Sequence, residues 1–369
     1  MILALDVGTS SVKGALISHN GKLISEARVF YKSSESAVLV QALKELVSKL
    51  DSTFFIDGIA VSGNGPTFIP LFADGSSGNP ILWFSKNENP LFSGKSLYLP
   101  KLLWLKENDA ELYDKADVFL PSDSFVNFLL TGEKSAAVVN DRFIPFFWSG
   151  EDAENNSLDA DKLPPLIFTG EKIGKVSKTG EKIFGIKSGI PVFAAGSDFL
   201  MAILGTATLE PGQACDRTGT SEGINICIAS EAARDCSGYR TMPHITENCS
   251  NISALIPDSG KIFAGYKDCR NIRDIEESDA FAEVCRLLRK LEREGFASDA
   301  LRISGGQAKN PVWNQAKANA LEKRILVPEI VDAELCGCAC AAFAGLGEFI
   351  SPSQAAEQLV KIQKEYIPQ

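Results

Sequence analysis

Short apolar runs and longer amphipathic stretches alternate along the chain. MILALDV (1–7), KGALIS (13–18) and GKLISEARVF (21–30) predict a meander of strands, with HNG (19–21) as the turn between the last two. SAVLVQALKELVSKL (36–50) repeats at helical spacing, and IDGIAVSG (56–63) predicts a short buried strand ending on glycine. LPKLLWLKENDAELYDKA (99–116) and SDSFVNFLLTGE (122–133) predict helices. In the second, Ser122 or Asp123 is placed to cap the start and Gly132 to stop the end. IPVFAAGSDF (190–199) predicts a strand running into a turn.

The pattern then restarts. GQACDRTGTSEGINICIA (212–229) predicts strand, Gly-Thr-Ser turn, strand, much like the opening of the chain. Phe281, Val284, Cys285, Leu288 and Leu291 fall on one helical face, with Ser278 as cap and Gly295 as stop. ALRISGGQAKNPVWNQAKANAL (300–321) predicts strand, glycine turn, helix. The boundary between the halves is expected within 200–212, giving domains 1–203 and 204–369. This is an α/β chain of two lobes, with the cleft between them as the expected ligand site.

A length of 369 residues lets each domain bury its own core, and 45% apolar with 23% charged residues is ordinary globular composition. The formal net charge of -10 argues against a broad nucleic-acid surface, but not against a small anion held by oriented amides. No apolar run is long enough to span a bilayer, and the first residues lack a secretory signal pattern. The expectation is a cytoplasmic protein with no membrane or nucleic-acid partner. There are nine cysteines without paired metal-ligand spacing. Cys336, Cys338 and Cys340, in ELCGCACAAFAGLG (334–347), read as small residues on a tightly packed helix; an iron–sulfur cluster is the alternative. With two histidines in the chain, a general base is expected to be a carboxylate.

Four short stretches can carry chemistry. Asp6-Val7-Gly8-Thr9-Ser10-Ser11, followed by Lys13, is either a solvated hairpin turn or an anion-binding concavity with a carboxylate able to hold Mg2+ through water. Thr218-Gly219-Thr220-Ser221 repeats that chemistry in the second half, and two such turns can clamp a polyphosphate. Asp198 ends a strand among small residues, as a general base or as an Asx turn or cap. Gly305-Gly306, between a strand and a helix holding Trp313 and Gln315, lets a ring or phosphate approach the backbone. It is not a dinucleotide fingerprint, and no P-loop lysine motif occurs.

In chain order, LDVGTSSVKGALI, SGNGPTFIPLFADGSSGNPILW, LPKLLWLKENDAELYDKADVFLPSDSFVNFLLTGE, PVFAAGSDFLMAILG, RTGTSEGINI and ISGGQAKNPVWNQAKANAL with DAELCGCACAAFAGLG resemble the FGGY carbohydrate kinases, on the xylulokinase-like side. The resemblance implies the ribonuclease H-like, actin-like ATPase fold of the actin/hexokinase superfamily. Each lobe then holds a mixed five-stranded sheet, and the lobes close over ATP and a sugar. It implies that Asp6 is metal-associated and that Gly8, Thr9, Ser10 and Lys13 belong to the first phosphate loop. Thr218, Gly219 and Thr220 would form the second. Gly305 and Gly306 would form the adenosine-site turn, with Asn310 and Gln315 beside it. Asp198 would be the base, near the metal, and Asn64, Gly65, Pro66 and Trp83 would line the sugar pocket. The implied reaction is ATP- and Mg2+-dependent phosphorylation of a sugar or polyol, foremost a ketopentose such as xylulose; a homodimer is compatible with it. The alternative is a non-catalytic nucleotide- and sugar-binding relative.

Several positions depart from the family pattern. Its W-x-D-x-R stands here as Trp83-Phe84-Ser85-Lys86-Asn87, without either charged partner, and its helical AD as Ala318-Asn319. Asn64 and Pro66 replace the Gln-Met-His or Gln-Arg-Glu of well-known branches. The chain is short after Asn87 and between residue 268 and the helix at 278–294, which trims the C-terminal lobe.

Overall fold

The computed structural model describes residues 1–369 except 34, 52, 220 and 235–237, with 279, 280 and 283 described by their backbone alone. Two compact units emerge: Met1–Asp198 with Ala341–Pro352, and Phe199–Cys340 with Ser353–Gln369. The sequence pattern places one boundary at 203/204; by contacts the chain passes between the units after Asp198, Cys340 and Pro352.

The first unit is built on a six-stranded sheet in the order Leu23–Phe30, Ser11–Ile17, Ile2–Val7, Gly58–Gly63, Pro191–Ser197, Lys172–Lys175. The first three strands are the antiparallel meander of the opening pattern, and Gly58–Gly63 and Pro191–Ser197 continue it in parallel. The five implied strands are present, and Lys172–Lys175 adds an antiparallel edge. The helix Ser36–Lys49 buries Leu39, Leu43 and Leu46, one side of its cylinder, in this unit's core. Gly14 makes room for it: a Cβ there would stand 3.1 Å from both Leu46 and Leu5 side chains.

The stretch 99–116 is two helices, Leu99–Asn108 and Ala110–Lys115. Asp109 separates them because its Oδ1 accepts from Leu112 N–H at 3.2 Å, a cap that starts a new helix. Ala116–Pro121 then forms a strand against Phe68–Phe72, a pair no periodicity had marked.

The second unit is built on a seven-stranded sheet in the order Arg240–Pro243, Cys249–Ile256, Glu222–Ala229, Ala214–Thr218, Ala300–Gly305, Arg324–Pro328, Ile362–Tyr366. Five central strands match the implied sheet, and both edges are additions. The helix Asp279–Arg293 starts as expected, with Ser278 Oγ accepting from Phe281 N–H at 3.1 Å, and buries Phe281, Val284, Cys285, Leu288 and Leu291. Trp313 is fully buried edge-on to Phe281 and Phe263.

Cys336, Cys338 and Cys340 lie buried on the helix Ala333–Gly345. That helix passes close to Asp198–Gly205: a Cβ on Gly337 would fall 2.1 Å from Met201 O, and one on Gly205 1.8 Å from Ala333 O. Small residues are needed at that crossing. A hydrogen bond with Cys336, then burial, pushes the Cys340 thiol well above its ordinary value. Among the described residues no helix is long and apolar enough to cross a membrane.

Candidate active site

In the first unit, register decides what surrounds Asp6. The strand Ile2–Val7 pairs Asp6 with Lys13 on its antiparallel side and with Ser62 on its parallel side. Cross-strand partners share a face, so both side chains reach the carboxylate. Ser62 Oγ donates to Asp6 Oδ1 at 2.8 Å, and Lys13 Nζ stands 3.4 Å from Oδ2. Asp6 is 3% exposed, and a buried charge needs such company.

The chain then turns at Gly8, whose N–H donates to Ser11 O at 3.0 Å; a Cβ there would lie 2.9 Å from that oxygen. Thr9 and Ser10 form the exposed tip. Tyr31 braces the turn by donating its hydroxyl to Gly8 O and its N–H to Ser10 O. Burial, with the Asp6 charge adding, pushes the Tyr31 phenol up to about 12, so it stays a donor.

Thr9 links this turn to the expected acceptor residues. Its hydroxyl accepts from Trp83 Nε1 at 3.0 Å and from Asn64 Nδ2 at 3.4 Å. Trp83 N–H donates in turn to Thr67 Oγ1 at 3.0 Å. Asn64 is buried, and among the described residues its Oδ1 has no hydrogen-bond partner. Gly65 and Pro66 follow, joined by a cis peptide bond. A Cβ on Gly65 would stand 3.1 Å from the Tyr98 hydroxyl and 3.7 Å from Ser197 Cβ, beside Asp198.

Asp198 does not end a strand in an open turn: it opens the helix Asp198–Gly205 directly after Pro191–Ser197. The Ser197 hydroxyl is buried, with no hydrogen-bond partner among the described residues.

Asp123 is not a cap. The helix Ser122–Thr131 has Pro121 at its N-cap position and no side-chain cap bond, while Gly132 stops it in the left-handed region as expected. Ser122 Oγ instead donates to Asn64 O at 3.0 Å. Asp123 packs over Gly63, where a Cβ would fall 2.6 Å from Asp123 N. Burial pushes the Asp123 carboxyl up to about 7, against the pull of backbone N–H donors, and the Asp198 charge adds to the rise. Burial, followed by the charges of Asp123 and Asp198, holds the Tyr98 phenol well above its ordinary value. Asn64, Gly65, Tyr98, Asp123 and Asp198 are thereby gathered in one unit. Tyr98 and Asp123 escaped the sequence reading because each looked locally structural.

In the second unit, Thr218 is paired with Gly305 across parallel strands. Gly305 adopts φ +82°, and a Cβ on it would fall 1.9 Å from Thr218 O. Gly306 N–H donates to that oxygen at 3.2 Å, Gln307 N–H to Thr218 Oγ1 at 3.1 Å, and Thr218 Oγ1 to Ser304 O. The two glycine turns are therefore joined. Gly219 N–H donates to Ser221 O at 2.9 Å; Thr220 lies outside the described residues. Asn310 caps the helix Pro311–Leu321, its Oδ1 accepting from Val312 and Trp313 N–H at 3.0 Å each. Gln315 donates to Asn319 Oδ1 and Ile367 O, so these contacts do not bring it to the glycine turn.

Beneath the joined turns lies an ion cluster the sequence did not reveal. Lys317 donates to Asp216 Oδ2 at 2.6 Å and to Glu222 Oε1 at 2.8 Å, all three fully buried. Burial and the nearby Glu222 charge push Asp216 up to about 8 despite Lys317. Glu222, against the cost of its burial, is held below its ordinary value by Lys317. The ammonium between the two carboxyl groups is what lets them share a dry interior.

Family models decide the identity of this assembly. That for the N-terminal domain of the FGGY family of carbohydrate kinases matches residues 76–205, and that for the C-terminal domain matches 277–346. The chain belongs to the FGGY family of carbohydrate kinases. This FGGY chain is 23% identical to the L-fuculokinase of Salmonella typhi, over 100% of the chain and 97% of that protein. It is 21% identical to the autoinducer-2 kinase of Escherichia coli O9:H4 (strain HS), over 100% and 90%. That second alignment runs over 479 positions, so the longer kinase carries segments without counterpart among these 369 residues. In fold, the FGGY chain is similar to ligand-bound xylulose kinase from Lactobacillus acidophilus, with TM-score 0.79, 17% identity and coverage of 100% and 94%. It is likewise similar to Plasmodium falciparum glycerol kinase with ADP, with TM-score 0.77, 17% identity and the same coverages.

The residues present fit a nucleotide and a hard cation. In the first unit Thr9 and Ser10 present exposed hydroxyls and Asp6 and Asp198 are hard oxygen donors; in the second, taken by itself, Gly306 is exposed and leaves its backbone open to a ligand. Among the described residues no group of three or more His, Cys, Asp or Glu side chains is disposed to hold a metal. A magnesium ion at these carboxylates would therefore complete its shell with phosphate and water.

Proposed function

We propose that this chain transfers the γ-phosphoryl group of ATP to a hydroxyl of a sugar or polyol, with a ketopentose such as xylulose as the acceptor of choice. The observation that carries the reading is the Thr9 hydroxyl. One side chain at the tip of a glycine turn, three residues after the buried Asp6 that pairs with Lys13, also holds Trp83 and Asn64. A phosphate turn bonded to acceptor-binding residues is what phosphoryl transfer requires, because its catalysis rests on positioning and charge stabilisation.

When bound, ATP supplies the phosphoryl group and Mg2+ offsets its charge. The chain's own residues do the rest. Gly8, Thr9, Ser10 and Lys13 bind phosphate oxygens in the first unit, and Thr218, Gly219 and Thr220 do so in the second. Asp6 orients the metal, with Asp198 close by. Gly305 and Gly306 pass under the adenosine, on the turn that Asn310 fixes by capping the next helix; Gln315 holds that helix to the C-terminal segment. Asn64, Gly65, Pro66 and Trp83 orient the acceptor. Asp198 takes the proton of its attacking hydroxyl as the new O–P bond forms and the bond to the leaving ADP oxygen breaks. A cytoplasmic location and a homodimer belong to the same reading.

The test is ATP turnover over a panel of pentuloses, hexuloses and polyols, with Asp198→Asn as control. A general base contributes on the order of a hundredfold or more, so kcat should fall by that factor while ADP binding by calorimetry persists. If no acceptor raises turnover, or if the variant keeps its rate, the reading fails. A binding-only kinase relative is favoured by one feature: the stretch Trp83–Asn87 lacks the family's charged pair and is tied down by Lys101, which donates to Ser85 O at 3.1 Å and pairs with Glu88 at 2.8 Å. Nucleotide binding without acceptor-dependent turnover would select it.

A further inference from the structure

We infer that the buried Lys317–Asp216–Glu222 cluster is a positioning device for the nucleotide's phosphates, acting through the hairpin end at Thr218–Gly219. The inference rests on the kinase reading and adds to it a set of residues that touch no ligand.

Topology gives the cluster its leverage. Asp216 and Thr218 alternate on one strand, and Glu222 is the cross-strand partner of Thr218, so the three side chains share a face. The two carboxyl groups therefore flank the end of the hairpin. Lys317, from the helix Pro311–Leu321, reaches both at 2.6 and 2.8 Å. A single ammonium bridging two groups fixes the spacing between the strands just below the turn.

A second set of bonds closes the ring. Gln307 Nε2 donates to Glu222 Oε2 at 3.2 Å and to Ser259 Oγ at 2.8 Å, while its backbone N–H donates to Thr218 Oγ1. Its Oε1 accepts from Trp313 Nε1 at 2.9 Å, one helical turn from Lys317. Thr218, Gln307 and Glu222 thus form a closed circuit, with Lys317 as the brace. Every member is buried to within a few per cent.

Such an assembly is a costly way to gain stability. Apolar residues of the same volume often stabilise a fold as well as a buried ion set does, whereas a bonded set admits one arrangement. What this set holds in one arrangement is the backbone at Thr218 and Gly219, where the glycine brings little rigidity of its own. A phosphate bound by turn amides needs them aimed before it arrives.

The experiment uses the full chain and two probes, ADP and adenosine, titrated by calorimetry. The variant is Asp216→Asn with Glu222→Gln and Lys317→Met, which removes the three charged groups together and so leaves no charge buried without its counterion. The expected result is a circular dichroism spectrum and Tm close to the parent's, with the ratio of ADP to adenosine affinity lowered about tenfold or more, the scale of one or two misaimed charge-assisted hydrogen bonds. An unchanged ratio in the folded variant overturns the inference. Equal loss for both probes overturns it too, since general loosening does not single out phosphate. If the triple variant does not fold, Gln307→Ala opens the same circuit with one smaller change and should lower the same ratio. A parent chain that binds neither probe sinks the kinase reading and this inference together. A parent that binds ADP but phosphorylates no acceptor leaves the inference standing.

Discussion

Substituting Gly305 by alanine should be among the most damaging single-methyl changes in the second unit. Two effects add. At φ +82° an L residue pays about 1–2 kcal/mol for the left-handed region. The new Cβ would also fall 1.9 Å from Thr218 O, more than 1 Å inside any separation that real Cβ atoms show. Relief requires moving Thr218 away from Gly305. That breaks the bond from Gly306 N–H to Thr218 O and strains the one from Thr218 Oγ1 to Ser304 O. Thr218 O, a buried acceptor left without its partner, costs about 1–3 kcal/mol, so with the conformational term the local loss is about 2–5 kcal/mol. Gly212 is the reference: φ is +87°, but nothing lies within 4 Å of its Cβ position, so Gly212→Ala should cost only the conformational term of about 1–2 kcal/mol. Hydrogen exchange read by mass spectrometry on the strands Ala214–Thr218 and Ala300–Gly305 measures the difference locally. Protection there should fall by about two to four decades in Gly305→Ala and by about one in Gly212→Ala. Equal losses in the two variants would refute the steric argument.

Two further perturbations probe the first unit. Thr9→Val removes the oxygen that accepts from Trp83 and Asn64; steady-state kinetics should show the acceptor KM rising about tenfold, the scale of one lost hydrogen bond to a neutral partner, with the larger change in KM rather than in Tm. His19 is bonded to Glu348 and Asp57 at 2.7–2.9 Å, and those bonds, Glu348 first, raise its pKa above the ordinary 6.5. A pKa raised by folding stabilises fully below the unfolded value and is lost as pH rises through the folded one. The Tm gap between parent and His19→Gln should therefore be widest at acid pH and close at alkaline pH; a gap that does not change with pH would show the imidazole charge to be irrelevant.

Local signals were legible in the sequence, and distant register was not. The opening meander, the Ser278 cap and the Gly132 stop each depend on residues a few positions apart, and each is where the pattern put it. Asp123 shows the limit. An acidic residue at the start of a helical run looks like a cap, and only the packing of its helix over Gly63 shows it to be a buried carboxyl near Asp198. Lys317 is harder still. It sits among small and polar helical residues as an ordinary surface lysine would, and its partners are 95 and 101 residues away. Asn310 and Gln315 show the reverse: residue types that suit a nucleotide are engaged in capping and in holding the C-terminal segment. Resemblance suggested roles for Asp6 and Thr9, and register explains why Lys13 and Ser62 meet the first of them.

The return of Ala341–Pro352 to the first unit matters for how the protein is made. Gly345 lies so close to Phe193 that a Cβ would come within 2.3 Å of its ring, Phe343 contacts His19, and Glu348 completes the His19 ion pair. A domain usually folds as a unit once its last segment has left the ribosome. Here that segment emerges after almost all of the second unit has been translated. Until then the Phe193 ring lacks the cover that Gly345 gives it, while the neighbouring unit is synthesised. A chain released at residue 203 would carry that exposed surface permanently, so the two units share one folding schedule and cannot be separated by a single cut.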